Sequence, residues 1–516
     1  MKKLMVLAIA AALMVAGTAF AGNHLVTSPN ATFVFGAPGV AVGPTTTNND
    51  DSCDIGTAPA ATLLLPYFEV DFKSGAQTAR TTNFTITNVS DLPQIAHVVI
   101  WTDWSFPALD FNIFLTGYDV QGINLYDIFA RGLIAPTGAN TGGTSSNTTV
   151  GTGATPGSQA ADNDANPNIT SLAGCTALPG NIPTNYVTDL QLIFTTGKGT
   201  GAGIGCTTTV GGAHANAIGY VTIDVAPTCH TSLPNQAGYF SQILFDNVLI
   251  GDYQDINPNQ ATGNYAGGNP LVHIRAVPEG GPAGSVPGTN LPYTFYDRYT
   301  TGIVPRTIDR RQPLPSTFAA RFIQGGTGAF NTNYKIWREG YTIGACSTSS
   351  TSGAVGNSNI AVSEVVRFDE HENSTVQGGG VIISPPPPGA PGTPETGAYN
   401  TATNSIFPQT TSSDLGGWMY LNLNNGGSAN YSTARSGFTT GTSTINRPSQ
   451  NWVIIQMFAE GRYSVDFDAA WLGNGCSPAA LSSSVALIGP AGGTPVCPAG
   501  VTCTPASAYT GTNVTP

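Results

Sequence analysis

Hydrophobic and polar residues alternate along many short segments of this chain, which is the pattern of half-buried β-strands. In Asn83–Asn88, Phe84 and Ile86 fall on one face, and Ile218–Val225 and Ser464–Ala469 alternate in the same way. The apolar segments are short and rich in Val, Ile, Thr and aromatic residues, which favour strands. The 63 glycines and 37 prolines argue against long helices. The pattern therefore predicts an all-β protein in which helix is limited to single turns.

The predicted strands fall into two groups, with the Gly/Pro-rich segment Pro278–Pro287 between them as a boundary. The first group is Leu63–Asp71, Arg80–Asn88, Ile95–Trp104, Phe111–Leu115, Ile123–Ile128, Val187–Thr196, Gly219–Val225, Gln242–Leu249 and Leu271–Val277. The second group is Thr317–Gln324, Tyr334–Glu339, Ala361–Asp369, Gly417–Leu423, Trp452–Glu460 and Tyr463–Leu472. Many short strands with turn residues between them are typical of immunoglobulin-like β-sandwiches. We predict two tandem units of this type with long loops rich in Gly, Thr, Asn and Pro.

The corresponding domain limits follow from shifts in composition along the chain. They are a signal peptide (1–21), a polar leader (22–58), a first sandwich unit (59–277) with an inserted loop (134–172), a linker (278–290), a second unit (291–477) with a Pro-rich loop (384–397), and a low-complexity tail (478–516).

Three pairs of segments resemble each other in the same order in the two groups of strands. Thr82–Ile86 pairs with Ser316–Ala320, His97–Trp101 with Asn333–Trp337, and Ile218–Asp224 with Gly416–Asn422. Two readings stay open, because related units would give this similarity and so would any two sheets with buried aromatic residues.

The N-terminus predicts export. Lys2 and Lys3 precede the apolar stretch Leu4–Ala16, and Gly17–Ala21 ends in small residues of the A-x-A type. We expect cleavage before residue 22, no transmembrane anchor afterwards, and a destination outside the cell or at its surface, with the periplasm as an alternative. The formal charge of −12, from 18 basic and 30 acidic residues, is unfavourable for binding nucleic acid.

Eight cysteines in an oxidising compartment predict disulfide bonds. Spacing favours Cys497 with Cys503 and then Cys175 with Cys206, although eight cysteines allow many pairings. Zinc is not favoured, because the paired C-x₂₋₄-C spacing of zinc sites does not occur.

The best candidate for a metal site is a calcium loop formed by Asp162, Asp164, Asn166 and Asn168, whose oxygen side chains recur at every second position. A weaker run consists of Asp252, Asp255, Asn257 and Asn259. The competing interpretation of both runs is a series of ordinary Asx turns. No other cofactor is expected.

Two charged groups are candidate ligand sites. Arg310 and Arg311 belong to a basic cluster that also contains Arg298, Arg306 and Arg321, and guanidinium groups bind carboxylates such as those of acidic glycans. Internal ion pairs with neighbouring aspartates explain the same cluster. The acidic group Asp369–Glu372 could supply acid–base or metal chemistry, or it could be a solvated strand end that turns at Asn373.

Trp104 is the tryptophan most expected to be exposed, because the Pro107 turn should lift it from its strand. An exposed ring can stack on a sugar, whereas a buried one would only support the core. The chain contains neither G-x-S-x-G nor H-E-x-x-H, so we predict no catalytic residues and no enzyme activity.

Leu63–Asp71 and Asp468–Cys476 resemble segments of exported bacterial β-sandwich proteins of unassigned function, a resemblance that covers residues 60–476. It implies export and no particular activity. The expected function is structural or adhesive, with polysaccharide or other envelope and matrix proteins as partners. The alternatives are a glycan-binding module and a hydrolase acting on extracellular polymer.

Overall fold

A computed structural model describes most of the predicted strands and the segments that join them. The described residues are 58–90, 94–134, 181–234, 236, 239–258, 265–276, 311, 314–315, 317–326, 329–339, 360–362, 364–376, 392–393, 396–404, 406–407, 415–423, 450–459 and 463–472. The proposed signal peptide, the linker 278–290 and the tail 478–516 lie outside these ranges.

Strands from residues 62–274 form two sheets of their own. The strands are β1 (Thr62–Val70), β2 (Thr81–Asn88), β3 (Gln94–Thr102), β4 (Pro107–Leu115), β5 (Val120–Asn124), β6 (Ala217–Ala226), β7 (Leu249–Asn257), β8 (Tyr265–Pro270) and β9 (Val272–Ile274). One sheet has the order β4-β3-β6-β1-β9 and the other the order β5-β2-β7-β8. Every pairing between these strands is antiparallel.

Strands from residues 317–471 form a second set of antiparallel sheets. The strands are β10 (Thr317–Ile323), β11 (Phe330–Arg338), β12 (Ile360–Ala361), β13 (Glu364–Asp369), β14 (Ser374–Val376), β15 (Gly392–Thr393), β16 (Thr396–Asn400), β17 (Gly416–Asn422), β18 (Asn451–Ala459), β19 (Tyr463–Asp468) and β20 (Ala470–Trp471). The sheet orders are β14-β13-β17-β10-β20 and β16-β11-β18-β19, and β12 pairs only with β15. The prediction of a mostly β protein is confirmed.

The two sets have the same topology. When the small β12–β15 ribbon is left out, each set contains nine described strands, and strands in the same chain order occupy the same positions in the two sheets. β1 thus corresponds to β10, β2 to β11, β6 to β17 and β7 to β18. We call residues 62–274 the first repeat and residues 317–471 the second repeat.

The equivalence extends to side-chain contacts. The Thr82 hydroxyl accepts a hydrogen bond from the Glu69 N–H (3.2 Å) and donates to the Glu69 carbonyl. The Thr332 hydroxyl makes the same two bonds, both of 2.9 Å, with Ile323. Because each threonine joins its strand to the facing sheet in the same way, Thr82 and Thr332 are equivalent residues. They define how the residues of β2 correspond to those of β11.

Each repeat has an apolar core between its two sheets. The first core includes Leu63, Phe68, Phe84 and Ile86, and the second includes Phe318, Tyr334 and others that are likewise buried. Burying such side chains contributes roughly 1.5–3 kcal/mol each to the free energy of folding.

One predicted strand is a helix. Thr184–Thr196 forms α1, which ends at Gly197 in the left-handed conformation. The prediction of a strand at 187–196 was therefore wrong. The residues that α1 buries include Leu190, Ile193 and Phe194, and their i, i+3, i+4 spacing places them on one helical face.

Strand β7 (Leu249–Asn257) was missed, and the predicted strand at 242–249 was wrong, since Tyr239–Gln242 is a short 3₁₀ turn and β7 begins at Leu249. β7 carries the aspartates of the second calcium candidate. Asp252 is exposed on one face of the strand while Asp255 is buried on the other, because successive side chains in a strand point to opposite faces. Asp252 and Asp255 therefore do not face a common site, and Asn259 lies outside the described residues.

Candidate functional site

Two turns selected from the sequence for chemical reasons occupy equivalent places in the two repeats. The turn between β3 and β4 contains Trp104, and the turn between β13 and β14 contains Glu370–Glu372. In the first turn the N–H of Thr102 donates to the carbonyl of Phe106, and in the second the N–H of Asp369 donates to that of Asn373.

The two turns also share their cap and their backbone conformation. The Thr102 side chain accepts hydrogen bonds from backbone N–H groups two and four residues later, and Asp369 does the same. Ser105 and Glu372 both have positive φ angles, 56° and 63°. The Asp369 carboxylate thus accepts hydrogen bonds within its own turn. These hydrogen bonds, of which that from the Asn373 side chain has the largest effect, lower the pKa of Asp369.

The turn of the first repeat holds a carboxylate–imidazole pair. Asp103 is buried, accepts the Gly212 N–H (2.9 Å) and lies 2.8 Å from Nε2 of His214. Burial alone would lower the pKa of His214, but the hydrogen bond and charge of Asp103 outweigh it and raise that pKa. The pair therefore favours the protonated imidazole, which is partly exposed.

Trp104 is half-buried on this turn. Its neighbour Ser105 is buried and its hydroxyl lies 2.6 Å from that of Tyr220, so Ser105 is part of the internal hydrogen bonding of the repeat. Trp104 therefore lies between the two predicted alternatives, with part of its surface open and part packed.

An aromatic pair lies beside each turn. In the second repeat Phe368 and Trp418 stack with ring centroids 4.0 Å apart, and both are half-buried. They occupy one cross-strand row with the exposed residues Arg321 and Ser374. This row offers apolar ring surface next to a cation and a hydroxyl.

The equivalent aromatic pair of the first repeat is buried. Trp101 and Tyr220 stack at 5.6 Å, and the Trp101 Nε1 donates to the Thr222 hydroxyl at 2.8 Å. Trp337, from the second repeat, packs against Tyr220 in an edge-to-face arrangement with ring centroids 5.9 Å apart. The second repeat thus contacts the aromatic stack of the first repeat, whereas the equivalent stack in the second repeat, Phe368 with Trp418, is partly exposed.

A buried ion network joins the repeats. Nζ of Lys335, on β11, lies 2.9 Å from Asp255 on β7 and 2.6 Å from Asp466 on β19. Arg80 adds a second cation at 3.0 Å from Asp255 and an ion pair with Glu69. These five side chains come from five different strands or loops of two repeats, so the complete network forms only when both repeats are in place.

Charge balance explains the pKa shifts in the network. Burial alone would raise the pKa of Asp255, but the charges of Arg80 and Lys335 lower it. For Asp466 burial prevails over Lys335 and the pKa is raised. Burial would lower the pKa of Lys335, but the two carboxylates raise it. The lysine is therefore charged in the folded protein.

Further polar contacts surround the network. The Asn269 amide donates to Asp468 at 2.7 Å, and Nε1 of Trp452 donates to the same carboxylate at 3.0 Å. Burial raises the pKa of Asp468 to about 6. The Thr396 hydroxyl donates to the carbonyl of Pro66 at 2.6 Å. The junction between the repeats is thus polar as well as apolar.

Arg311, a predicted ligand residue, is fully buried. Its guanidinium lies 3.3 Å from the Asp224 carboxylate and donates to the Leu244 carbonyl at 3.2 Å. This is an internal ion pair, the alternative explanation of the arginine cluster, although with a different aspartate from the sequence neighbours. Arg310 lies outside the described residues.

Two histidines that the sequence left scattered are adjacent. The rings of His97 and His230 have centroids 4.1 Å apart, and His97 is fully buried. Burial is the largest cause that lowers their pKa values, to about 4 for His97 and about 3 for His230. Both imidazoles are therefore neutral near pH 7.

The remaining predicted site residues fall outside the description. These are the calcium candidates Asp162, Asp164, Asn166 and Asn168, and the cysteines Cys175, Cys497 and Cys503. Within the described ranges, Cys206 and Cys229 are each part of a disulfide bond. The two proposed pairings, Cys497 with Cys503 and Cys175 with Cys206, stay predictions. No group of three or more His, Cys, Asp or Glu side chains suited to a metal is found among the described residues.

Sequence reasoning missed the ion network. Lys335 stands alone in the strand Asn333–Trp337, and a single charge in an otherwise buried segment is a signal of a buried partner. Its partners Asp255 and Asp466 lie 80 and 131 positions away in the sequence, so the local pattern could not identify them.

No family profile, curated protein or solved structure matches this chain. In the part of the chain that the structure describes, no helix has the length and apolar character needed to cross a membrane.

Proposed function

We propose that this chain is an exported structural or adhesive protein of the bacterial envelope or matrix, in which two immunoglobulin-like β-sandwich repeats form one rigid body. The observation that supports it is the ion network of Lys335, Asp255 and Asp466, because a buried network fixes the orientation of the elements that share it. A rigid two-repeat body suits a protein that bears load or spaces its partners.

The proposal is tested by location and by binding to envelope material. We expect a bacterial host that expresses the whole chain to release or display it with residue 22 as the first residue, and the purified protein to co-sediment with isolated envelope or matrix. Retention in the cytoplasm with residues 1–21 uncleaved would contradict export. Failure to sediment with any envelope or matrix fraction would contradict the structural role.

Glycan binding is the second candidate, and the row of Arg321, Trp418, Phe368 and Ser374 favours it. Aromatic rings flanked by polar groups bind sugars through stacking and hydrogen bonds. Trp418→Ala should then abolish co-sedimentation with polysaccharide. Tyr118→Ala is the matched control, because Tyr118 is a 70 % exposed aromatic residue far from this row in the chain. Equal binding by both variants would exclude the row as the site.

A further inference from the structure

An amine is buried between two carboxylates at the junction of the repeats. Nζ of Lys335 lies 2.6 Å from Oδ2 of Asp466 and 2.9 Å from Oδ2 of Asp255, and each of the three side chains is at most 1 % exposed. The rings of Tyr67 and Tyr253 lie 5.9 and 5.7 Å from the same nitrogen. A nucleophile and two carboxyl groups therefore share one site from which bulk water is excluded.

The two carboxylates differ in their partners. Asp255 also accepts hydrogen bonds from Arg80 at 3.0 and 3.4 Å, whereas Oδ1 of Asp466 is buried without a hydrogen-bond partner. Burial alone would raise the pKa of Asp255, but the charges of Arg80 and Lys335 lower it. Burial has the largest effect on Asp466 and raises its pKa. Paired groups whose environments separate their pKa values in this way take different roles, one as a base and the other as a neutral acid.

We propose that Nζ of Lys335 and the carboxyl group of Asp466 condense to an intramolecular amide, with Asp255 as the base that moves the proton. The buried ion network is then the arrangement that precedes the bond, and the stability changes expected for variants of the network apply to chain that has not condensed. The inference goes beyond the proposed function and does not depend on it.

The reaction begins with proton transfer from the ammonium group of Lys335 to the Asp466 carboxylate, which leaves a neutral amine beside a neutral acid. Nζ then forms a bond to Cγ of Asp466, and the electron pair of the C=O double bond moves onto its oxygen. Asp255 accepts a proton from Nζ and passes it to the hydroxyl group of Asp466, whose C–O bond breaks as the carbonyl forms again. One ammonium and one carboxylate give one amide and one water, so charge and atoms balance without an oxidant or reductant.

The site favours this condensation in three ways. Cγ is bonded to Oδ2, so the 2.6 Å contact brings Nζ close to the separation of about 3–3.5 Å of a near-attack arrangement. Backbone closes one side of the Asp466 carboxylate, because a Cβ added at Gly267 would overlap with it. The amide product keeps Asp255 paired with Arg80 and places an amide N–H where the ammonium was, so no buried charge loses its partner.

The bond would connect strands that are not neighbours. It joins β11 to β19, which lie on either side of β18, and it closes a covalent loop between positions 131 apart. Because Asp255 belongs to the first repeat, we expect the amide to form only after the two repeats have docked. The register of the repeats places Met457 at the position of Asp255, so the second repeat has no equivalent base there.

The test is the intact mass of the reduced, denatured whole chain, followed by a tryptic peptide map. After allowance for N-terminal processing, we expect the wild type to be lighter than its sequence by one water, with the Lys335 peptide joined to the Asp466 peptide. Lys335→Arg keeps the cation but should have the full mass, because a guanidinium group does not lose its proton in proteins. Asp255→Asn keeps both reacting groups and should condense at least about 100-fold more slowly. Lys198→Arg is the matched control at an exposed lysine and should lose water as the wild type does.

A wild type of full mass would overturn the proposal, and so would a loss of water that persists in Lys335→Arg, since the water would then come from another site. Circular dichroism checks that each variant folds. If Lys335→Arg does not fold, the wild-type peptide map decides, because recovery of the Lys335 peptide without a link refutes the amide. Condensation of Asp255→Asn at the wild-type rate would overturn the role of Asp255. Export and envelope binding by a wild type without the bond would leave the proposed function standing.

Discussion

Replacing Lys335 with methionine tests the junction between the repeats most directly. The substitution keeps the long side chain and removes a cation that lies 2.6 Å from Asp466 and 2.9 Å from Asp255. Asp255 retains Arg80 at 3.0 Å, whereas Asp466 loses its cation in a buried site. Breaking a buried ion pair on one side costs about 3–5 kcal/mol, so we expect Lys335→Met to lower the free energy of unfolding by that amount near neutral pH.

The loss should shrink in acid. Without Lys335 the folded-state pKa of Asp466, already raised by burial, rises further above its unfolded value. The folded variant then takes up a proton that the unfolded chain does not, so its stability increases as the pH falls through that folded pKa. Guanidinium unfolding at about pH 8 and about pH 5 measures both quantities.

Two further variants isolate the network as the cause. Lys198→Met removes a lysine whose residue is exposed and should change the free energy of unfolding by no more than about 0.5 kcal/mol. The double variant Lys335→Met, Asp466→Asn should recover most of the loss, because no uncompensated charge remains at that position. A loss below about 1 kcal/mol for Lys335→Met, or a loss that does not change with pH, would refute the argument.

Three other results are expected. Thr82→Val and Thr332→Val should each cost about 1–3 kcal/mol, because each leaves the same pair of backbone groups without its hydroxyl partner, and clearly unequal losses in denaturant unfolding would contradict the equivalence of the repeats. The imidazole of His97 should titrate near pH 4 by NMR; since this folded pKa is below the unfolded value, the residue removes stability as the pH falls from about 6.5, and a midpoint near 6.5 would contradict its burial. Thiol labelling of the denatured, unreduced protein should find no free cysteine, including Cys206 and Cys229, and two or more labels per chain would contradict this prediction.

Local patterns were sufficient to predict several strands. β1, β10, β17 and β18 lie within a residue or two of the predicted limits, because short runs rich in β-branched and aromatic residues indicate a strand even where both of its faces are buried, as in β1 and β18. α1 was misread since its β-branched and aromatic residues favour strand while their spacing favours helix. The helical face prevails here because Leu190, Ile193 and Phe194 pack into the first core.

Contacts between distant segments could not be predicted in this way. β7 contains Asp252, Asp255 and Asn257 and resembles a series of turns, yet Asp255 is buried because cations from two other segments neutralise it. The relation between the candidate functional residues could not be predicted from local patterns either. The turn of Trp104 and the turn of Glu370 were each selected for separate reasons, and only the topology places them at equivalent positions.

The internal similarity in the sequence was partly misaligned, and the reason shows what the repeats retain. The pairing of Ile218–Asp224 with Gly416–Asn422 has the observed register, since Gly219 and Gly417 both pair with a phenylalanine of the neighbouring strand. At both glycines an added Cβ would overlap with the carbonyl oxygen of the strand on the other side. The other two pairings were displaced by one strand, because alternating apolar residues look the same in every strand of such a sheet.

The true counterpart of Thr82–Ile86 is Thr332–Ile336, which shares threonine, asparagine, an aromatic residue and isoleucine at the same positions. Side chains therefore stay similar where geometry leaves no choice, at the bridging threonine and the close approach at glycine. They differ where the repeats meet other surfaces, as when Asp255 in one repeat corresponds to Met457 in the other. Because the first repeat has charged walls that fit Lys335 and the second has the apolar Met457 at the position of Asp255, a lysine equivalent to Lys335 would find no buried carboxylate there, so the second repeat cannot receive a further repeat in the same way.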